Sequence, residues 1–379
     1  MKKRFLGVLL SVAMVAAVLA GCGSSGAKET AAPAGSETEA ASEAASGETE
    51  AASKAASGET EAAGNTGDVI TVGFSQVGAE SDWRTANSES MKSTFSTENG
   101  YNLIFDDAQQ KQENQIAAIR NFIQQEVDYI VLAPVTESGW DTVLQEAKDA
   151  EIPVIIVDRM VNVSDDSLYT AWVGSNFKLE GQKACEWLKQ YAAAKNMSEV
   201  NIVDIQGTIG ASAQIGRTEA LNEAVEANGW NLLAQQTGEF TQAKGQEVME
   251  SMLKQYDNIN VVYCENDNEA FGAIEAIKAA GKTVGPDGDI LVMSFDTTKQ
   301  GITDTLSGDI IVNTECNPLH GPRVEQIIKQ LQAGETPEKQ AYVEEGIYAH
   351  GSDVASVSID GTDYEVTEVT QDVVDARAY

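Results

Sequence analysis

Histidine is scarce in this chain, since only His320 and His350 occur among 379 residues. Neither lies in a nucleophile motif, and the sequence has no GxSxG, no HExxH, no phosphate-binding P-loop and no GxGxxG after its first predicted strand. An EF-hand loop is absent as well. We therefore expect no enzyme activity, no cofactor and no bound metal, with glycoside hydrolysis by paired carboxylates as the enzymatic alternative.

Basic residues are also few, because 25 Lys and Arg stand against 59 Asp and Glu, which gives a formal net charge of −34. Such a surface repels a phosphate backbone, so we expect no nucleic-acid partner. The simplest role of the charge is solubility.

Only four cysteines occur, and none lies in a CxxC pair. After Cys22 the remaining three are Cys185, Cys264 and Cys316, an odd number that cannot pair entirely within the chain. Cys185 and Cys264 fall in apolar patterns and are predicted to be small buried residues.

The first 22 residues contain the longest apolar run, which follows a basic start and is short for a membrane-spanning helix. The run ends in Leu-Ala-Gly-Cys at Cys22, which resembles the lipobox of bacterial lipoproteins. The resemblance implies a signal peptide over residues 1–21 and lipidation of Cys22. An ordinary signal peptide with a chance cysteine is the alternative. Residues 22–67, rich in Ala, Ser, Gly, Glu and Thr, are predicted to form a disordered acidic tether.

From Asp68 onward, short apolar runs alternate with helical patterns. Continuous runs such as IPVIIVD are typical of strands buried on both faces of a parallel sheet. The strands are too many for one sheet, so we predict an α/β fold of two doubly wound lobes. A TIM barrel is the alternative fold.

Polar and aromatic residues follow the predicted strands, at the sheet edge where ligands bind in open α/β sheets. They are Glu80, Trp83, Arg84, Asp158, Arg159, Arg217, Phe240, Asn266 and Asp296. Arginine forks and carboxylates match vicinal hydroxyls, and aromatic rings pack on the C–H face of a sugar. These residues therefore predict a sugar-binding cleft between the lobes.

Seven of these residues also have a structural interpretation. Asp158, Asn266 and Asp296 have the side chains of helix caps. Arg159 and Arg217 are compatible with surface positions, and Trp83 and Phe240 with an interface core. Their joint placement after strands favours the binding interpretation.

Six ordered segments resemble the bacterial periplasmic sugar-binding proteins of ABC transporters, the pentose and hexose class with the type I fold. The segments are TVGFSQVGAESDWR, DDAQQKQENQ, EAKDAEIPVIIVDR, DIQGTIGASAQIGR, TGEFTQAKGQEVMESM and ENDNEAFGAIEAIKAAG. The resemblance implies a clamp whose chain crosses between the lobes three times, near Gly174, Cys316 and Glu345. The N-terminal lobe is then 69–174 plus 317–345, and the C-terminal lobe is 175–316 plus 346–379.

The same resemblance implies the nine site residues named above as the sugar ligands, with aromatic packing from Trp83 and Phe240. It implies a lipid-anchored, extracytoplasmic monomer that delivers a monosaccharide to an ABC permease and ATPase. A sugar or small-polyol receptor for signalling or chemotaxis is the alternative, because both kinds of protein clamp a small polyol.

Within the family, the first two segments resemble members that bind galactofuranose. Three positions depart from the ribose-binding pattern: the Trp83-Arg84 pair, Ala133 before the proline of the third strand, and Cys316 at the second crossing. They argue against ribose as the ligand, and Cys316 departs from the galactofuranose pattern too. The tail from His350 to Tyr379 has a strand-like pattern outside the resemblance.

Overall fold

The computed structural model describes residues 69–379. The predicted signal peptide, the lipidation of Cys22 and the acidic tether all fall on residues 1–68, outside the described part. No helix among residues 69–379 has both the length and the apolar character needed to cross a membrane.

The first lobe is built on a six-stranded sheet in the order β2-β1-β3-β4-β5-β11, in which every neighbouring pair is parallel. Its strands are β1 Ile70–Gln76, β2 Tyr101–Asp107, β3 Tyr129–Leu132, β4 Val154–Val157, β5 Ala171–Gly174 and β11 Gln340–Tyr342. Its helices are α1 Asp82–Thr94, α2 Gln112–Gln124, α3 Asp141–Asp149 and α9 Gly321–Gln332.

The second lobe is built on an eight-stranded sheet in the order β7-β6-β8-β9-β10-β12-β14-β13. Its strands are β6 Asn201–Gln206, β7 Asn231–Thr237, β8 Val261–Cys264, β9 Leu291–Asp296, β10 Val312–Glu315, β12 Ile347–Ala349, β13 Ser356–Ile359 and β14 Thr362–Glu368. Its helices are α4 Phe177–Ala194, α5 Ser212–Asn228, α6 Gln242–Gln255, α7 Asp267–Ala279, α8 Lys299–Ser307 and α10 Gln371–Ala376. The strands from β7 to β10 are parallel, whereas β12 runs antiparallel to β10.

The apolar runs are buried because helices cover both faces of each sheet. Every residue of β4 and β8 is buried, and both strands contribute to hydrophobic clusters on either side of their sheet. The predicted α/β fold of two mainly parallel sheets is confirmed, and the TIM-barrel alternative is wrong because both sheets are open. Cys185, Cys264 and Cys316 are free and buried, as predicted for the first two.

Strand membership changes sheet at three places along the chain. The chain leaves the first sheet after β5, returns to the first lobe after β10, and leaves again between β11 and β12. We call the connecting residues 174–176, 316–317 and 343–346 the first, second and third crossings.

The C-terminal tail differs from its strand-like prediction in one respect. It forms β13 and β14, but it ends in the helix α10, which the sequence pattern did not predict. The tail is held close to the second crossing, because Arg377 Nη1 lies 2.7 Å from Glu315 Oε1 and Tyr379 donates to the same oxygen at 2.8 Å.

Candidate functional site

One cavity between the lobes has an empty volume of about 290 Å³. Its lining contains all nine residues that the sequence placed after strands: Glu80, Trp83, Arg84, Asp158, Arg159, Arg217, Phe240, Asn266 and Asp296. The first five belong to the first lobe and the last four to the second. Four further residues line it, namely Ser81, Phe177, Ala213 and Cys316.

The loop after β1 places Trp83 and Arg84 in the first turn of α1. Ser81 caps this helix, since its Oγ accepts a 3.1 Å hydrogen bond from the backbone N–H of Arg84. The Trp83 indole Nε1 donates to the carbonyl oxygen of Cys316 at 2.6 Å. The ring is thereby held against the second crossing, in an apolar cluster that also contains Phe177 and Phe240.

Two arginines of the first lobe share two carboxylates. The guanidinium of Arg84 lies 2.9 Å from Glu80 and 2.8 Å from Asp158, and that of Arg159 lies 3.7 Å and 4.0 Å from the same two acids. Burial and the charge of Arg84 lower the pKa of Arg159 to about 10. Burial also lowers the pKa of Arg84, but Asp158 and Glu80 outweigh it and raise this pKa above its ordinary value. Both arginines therefore stay charged at neutral pH.

Arg217 is the arginine that lines the cavity from the second lobe. Its Nη2 lies 2.8 Å from Glu180 and 3.5 Å from Asp296, and its Nη1 donates to the backbone carbonyl of Glu265. Burial opposes the charge, but Glu180 and Asp296 raise the pKa of Arg217 well above its ordinary value. Burial raises the pKa of Asp296 well above its usual range, although Arg217 lowers it.

Asn266 is both a cap and a cavity residue. Its Oδ1 accepts from the backbone N–H of Glu269 at 2.8 Å, and so it caps α7 as one interpretation predicted. Its Nδ2 donates to the carbonyl of Phe240 at 3.1 Å, which holds the aromatic residue at the cavity. Gly207 makes room for that ring, because a Cβ on Gly207 would lie 1.9 Å from Phe240 Cζ.

The capping interpretation of Asp296 is wrong. The N-cap of α8 is Thr298, whose hydroxyl accepts from the N–H of Gly301. Asp296 instead ends β9 with a φ of 99°, and Asp158 and Phe240 also have positive φ, at 62° and 60°. Left-handed backbone at non-glycine residues costs free energy and often accompanies functional sites.

Away from the cavity and the crossings, three hydrogen bonds join the lobes among residues 69–379. The N–H of Met160 donates to Ser212 Oγ at 2.9 Å, and the N–H of Asp82 donates to Asn268 Oδ1 at 3.0 Å. The third runs from the N–H of Glu137 to the carbonyl of Gly210, at 2.9 Å. The guanidinium of Arg159 also lies over the ring of Phe240, 5.0 Å from its centroid. The lobes are thus closed over the cavity.

Sequence reasoning missed Phe177 and Glu180 on α4. Phe177 lies under the guanidinium of Arg217, whose Cζ is 5.4 Å from the ring centroid. Both residues follow β5, so the strand-end rule that found the other residues was also the signal for these two. Glu180 lies one helical turn further and was not suspected because its partner, Arg217, is distant in sequence.

Among residues 69–379, one group of side chains could in principle hold a metal ion. A carboxylate oxygen of Glu180, another of Glu345 and the Cys316 sulfur lie within 4.8 Å of one another. Cationic groups already occupy this region, because Arg217 pairs with Glu180 and Lys183 Nζ donates to the backbone carbonyl of Glu345 at 2.8 Å. We assign no metal to this group.

Comparison with known proteins identifies a matching family model and similar proteins of the same kind. Residues 72–314 match the family model described as periplasmic binding protein domain. The galactofuranose-binding protein YtfQ of Escherichia coli is 42% identical over 284 residues, which are 74% of this chain and 87% of that protein.

Two solved structures agree with this result. A Mycobacterium smegmatis protein in complex with β-D-fucofuranose is 43% identical, with a TM-score of 0.71, over 74% of this chain and 91% of that one. The arabinose ABC transporter binding protein of Shewanella sp. ANA-3, bound to L-arabinofuranose, is 42% identical, with a TM-score of 0.69, over 74% and 92%.

The relatives are binding proteins, which confirms the prediction that the chain is not an enzyme. The family model covers more than half of the chain, and the fold is the two-lobed α/β fold that the family resemblance implied. The chain therefore belongs to the periplasmic binding protein family.

Proposed function

We propose that the chain is an extracytoplasmic lipoprotein that binds one neutral monosaccharide between its lobes and delivers it to an ABC permease and ATPase. The observation that carries the proposal is the charge arrangement of the cavity. Each of the three guanidinium groups, on Arg84, Arg159 and Arg217, already has carboxylate partners. Among the cavity-lining residues that the structure describes, no cation is left over for a phosphate or a carboxylate of a ligand, whereas hydroxyl groups can bond to both signs of charge.

The lining of the cavity supports a single sugar ring. Trp83 and Phe240 supply apolar faces for the C–H side of the ring. Glu80 Oε2 is buried without a hydrogen-bond partner among residues 69–379, and a ligand hydroxyl is a suitable donor to it.

In this proposal all nine predicted residues contact the sugar. Trp83 and Phe240 pack on the ring, and the polar members bond to the ring oxygen and hydroxyls: Glu80, Arg84, Asp158, Arg159, Arg217, Asn266 and Asp296. Asn266 keeps one N–H and one lone pair after its two protein contacts, so it can still contribute.

We propose a furanose as the ligand, with galactofuranose as the first candidate. The support comes from the three relatives above, whose names and structures refer to galactofuranose, fucofuranose and arabinofuranose at 42–43% identity. Galactose itself interconverts between ring forms, so the furanoid and pyranoid anhydrogalactitols, whose rings are fixed, are the better probes.

Calorimetry with a panel of neutral sugars tests the proposal. We expect one sugar per chain, tighter binding of the furanoid than of the pyranoid anhydrogalactitol, and no binding of galacturonate. Absence of heat with every neutral sugar would contradict sugar binding. Equal or reversed affinity for the two anhydrogalactitols would contradict the furanose preference alone.

The lobe boundaries belong to the same proposal. We take 69–174 plus 317–345 as the N-terminal lobe and 175–316 plus 346–379 as the C-terminal lobe. Support comes from the sheets, because β1–β5 and β11 form one sheet and the other strands found in residues 69–379 form the second.

Lipid anchoring and delivery need separate tests on the full chain in bacterial cells. We expect the chain to be a monomer, to fractionate with membranes and to incorporate a labelled fatty acid. We expect Cys22→Ser to abolish both the membrane association and the labelling. Labelling that survives this substitution would contradict the anchor. Loss of sugar uptake on removal of a permease encoded beside the gene would support delivery, whereas a neighbouring sensor kinase would favour the signalling alternative.

A further inference from the structure

A single carboxylate oxygen joins the three crossings. Glu345 Oε1, on the third crossing, accepts a 2.6 Å hydrogen bond from Ser175 Oγ on the first crossing. It also accepts a 2.7 Å hydrogen bond from the backbone N–H of Asn317 on the second. The lobes can rotate only about the segments that connect them, so Glu345 lies at the pivot of lobe motion.

A second carboxyl group faces Glu345 at this pivot. Glu180, on α4, is 1% exposed, and one of its carboxyl oxygens lies within 4.8 Å of a carboxyl oxygen of Glu345. Glu180 Oε2 is paired with Arg217, but Glu180 Oε1 is buried without a hydrogen-bond partner among residues 69–379. Glu180 is buried and Glu345 is partly buried, and two carboxylates this close in such surroundings repel each other, whereas one proton between them removes the repulsion.

We propose that Glu180 and Glu345 share one proton in the closed protein, and that this shared proton couples Arg217 in the cavity to the pivot of lobe motion. The proposal rests on the proposed function, because closure on a sugar is the event that it couples. The path is continuous: Arg217 lines the cavity, Glu180 holds Arg217, and Glu345 holds the crossings.

The groups around the pair act in both directions. Arg217 and Lys183 favour ionisation of Glu180, whereas Glu180 and Glu315, on β10, oppose ionisation of Glu345. Cys316 on the second crossing and Asp296 at the end of β9 also face the pair. Burial, and after it the charges of Glu180 and Glu345, raise the pKa of Cys316, so this thiol is neutral; burial and Glu180 also raise the pKa of Asp296. Burial is the largest influence, and it raises the pKa of Glu180 and, well above its usual range, that of Glu345.

We expect opening of the lobes to admit water to the crossings, which lowers the cost of ionising both carboxyls, so that both pKa values fall towards their ordinary range in the open protein. A group with a higher pKa in the closed than in the open state favours closure at low pH, and this advantage is lost as pH rises through the closed-state pKa. Closure on a sugar therefore takes up a proton when the surrounding pH lies between the open-state pKa and the closed-state pKa of the carboxyl pair.

Calorimetry in two buffers with different ionisation enthalpies, phosphate and Tris, measures this uptake directly. At about pH 7 we expect wild type to take up a measurable fraction of a proton, up to one, per sugar bound. Glu345→Gln is expected to remove most of the uptake. Glu344→Gln removes the same charge from the neighbouring, exposed position and is expected to keep it.

A second measurement covers the case in which Glu345→Gln does not fold. Infrared difference spectra of wild type, recorded with and without sugar, should gain a protonated-carboxyl band on binding. Heat that is the same in both buffers, or a proton uptake that Glu345→Gln leaves intact, would overturn the shared proton while leaving sugar binding in place. Absence of heat with every sugar in both buffers would overturn the proposed function, and the coupling with it.

Discussion

The indole of Trp83 and the carbonyl of Cys316 are joined by a 2.6 Å hydrogen bond, although 233 positions separate them in sequence. This bond fixes an aromatic wall of the cavity to the second crossing. A phenylalanine at this position in the first turn of α1 would also pack on a ligand, but its ring has no N–H to donate to Cys316. The hydrogen bond therefore gives tryptophan a role that phenylalanine cannot fill.

Trp83→Phe keeps an aromatic ring but removes the donor. We expect sugar affinity to fall by about 1 kcal/mol, because the Cys316 carbonyl loses a buried partner. Titration calorimetry measures the change. Trp140→Phe is the matched control, since Trp140 Nε1 donates to Thr136 at 2.7 Å within the first lobe. That variant should lose stability and keep affinity, and an unchanged affinity in Trp83→Phe would contradict the role of the bond.

Arg159→Ala removes a guanidinium that contacts both lobes. Arg159 Nη1 donates to the carbonyl of Val135 at 3.0 Å, and its guanidinium lies over Phe240. We expect a loss of about 2–5 kcal/mol in sugar affinity, since ligand hydroxyls and buried acids lose their partner.

Arg120→Ala controls for the loss of an arginine, because Arg120 pairs with Glu146 on the exposed surface of the first lobe. Its affinity should match wild type. If Arg159→Ala also binds sugar as tightly as wild type, Arg159 does not belong to the site.

Ser212→Ala removes an acceptor between the lobes without changing the cavity lining. Among residues 69–379, the Ser212 hydroxyl bonds only to the N–H of Met160 on the first lobe, a contact of the closed protein. We therefore expect faster sugar dissociation, about fivefold, for every sugar that binds. Stopped-flow fluorescence measures the rate. Ser251→Ala removes a hydroxyl bonded within α6, to Gln255, and should leave the rate unchanged. An effect that depends strongly on the sugar would indicate direct ligand contact instead.

Asp204→Asn should stabilise the protein at alkaline pH. Asp204 is fully buried on β6, and burial raises its pKa to about 7, while a hydrogen bond from Gln235 opposes the shift. The folded protein thus holds this proton more tightly than the unfolded chain. Its contribution to stability is complete below the unfolded pKa near 4 and is lost as pH rises through about 7.

Urea unfolding at about pH 5 and about pH 9 measures the difference. We expect Asp204→Asn to exceed wild type by up to about 4 kcal/mol at the higher pH and by only about 1–2 kcal/mol at the lower pH, where the unfolded chain has begun to lose this proton. Asp149→Asn, on the exposed end of α3, should follow the wild-type profile. A variant that is destabilised equally at both pH values would show that the Asp204 carboxyl is not protonated in the folded state.

The strand-end rule located the site well because it depends only on local patterns. Apolar runs such as VIIV show where a strand ends, and Asp158 and Arg159 follow at once. The rule failed where a role depends on a distant partner. Nothing near Glu180 indicates that it meets Arg217, and nothing near Glu345 indicates that it joins Ser175 and Asn317.

Local chemistry also had limits within the predicted residues. Asp296 has a good capping side chain, but Thr298 lies closer to the start of α8 and takes the cap. The helix α10 is only six residues long, too short for its apolar periodicity to separate it from a strand. Its position depends on the contact of Arg377 with Glu315, which belongs to the folded protein alone.

Because the three cavity arginines are paired with carboxylates of the protein itself, sugar binding should depend little on the salt concentration of the medium. A neutral sugar adds no charge to a site whose ion pairs are complete and buried, and buried pairs are little screened by dissolved ions. Sugar affinity should therefore stay nearly constant from dilute buffer to high salt, although the chain as a whole carries a formal charge of −34. A cell exposed to changing salinity would keep the same threshold for capturing its ligand.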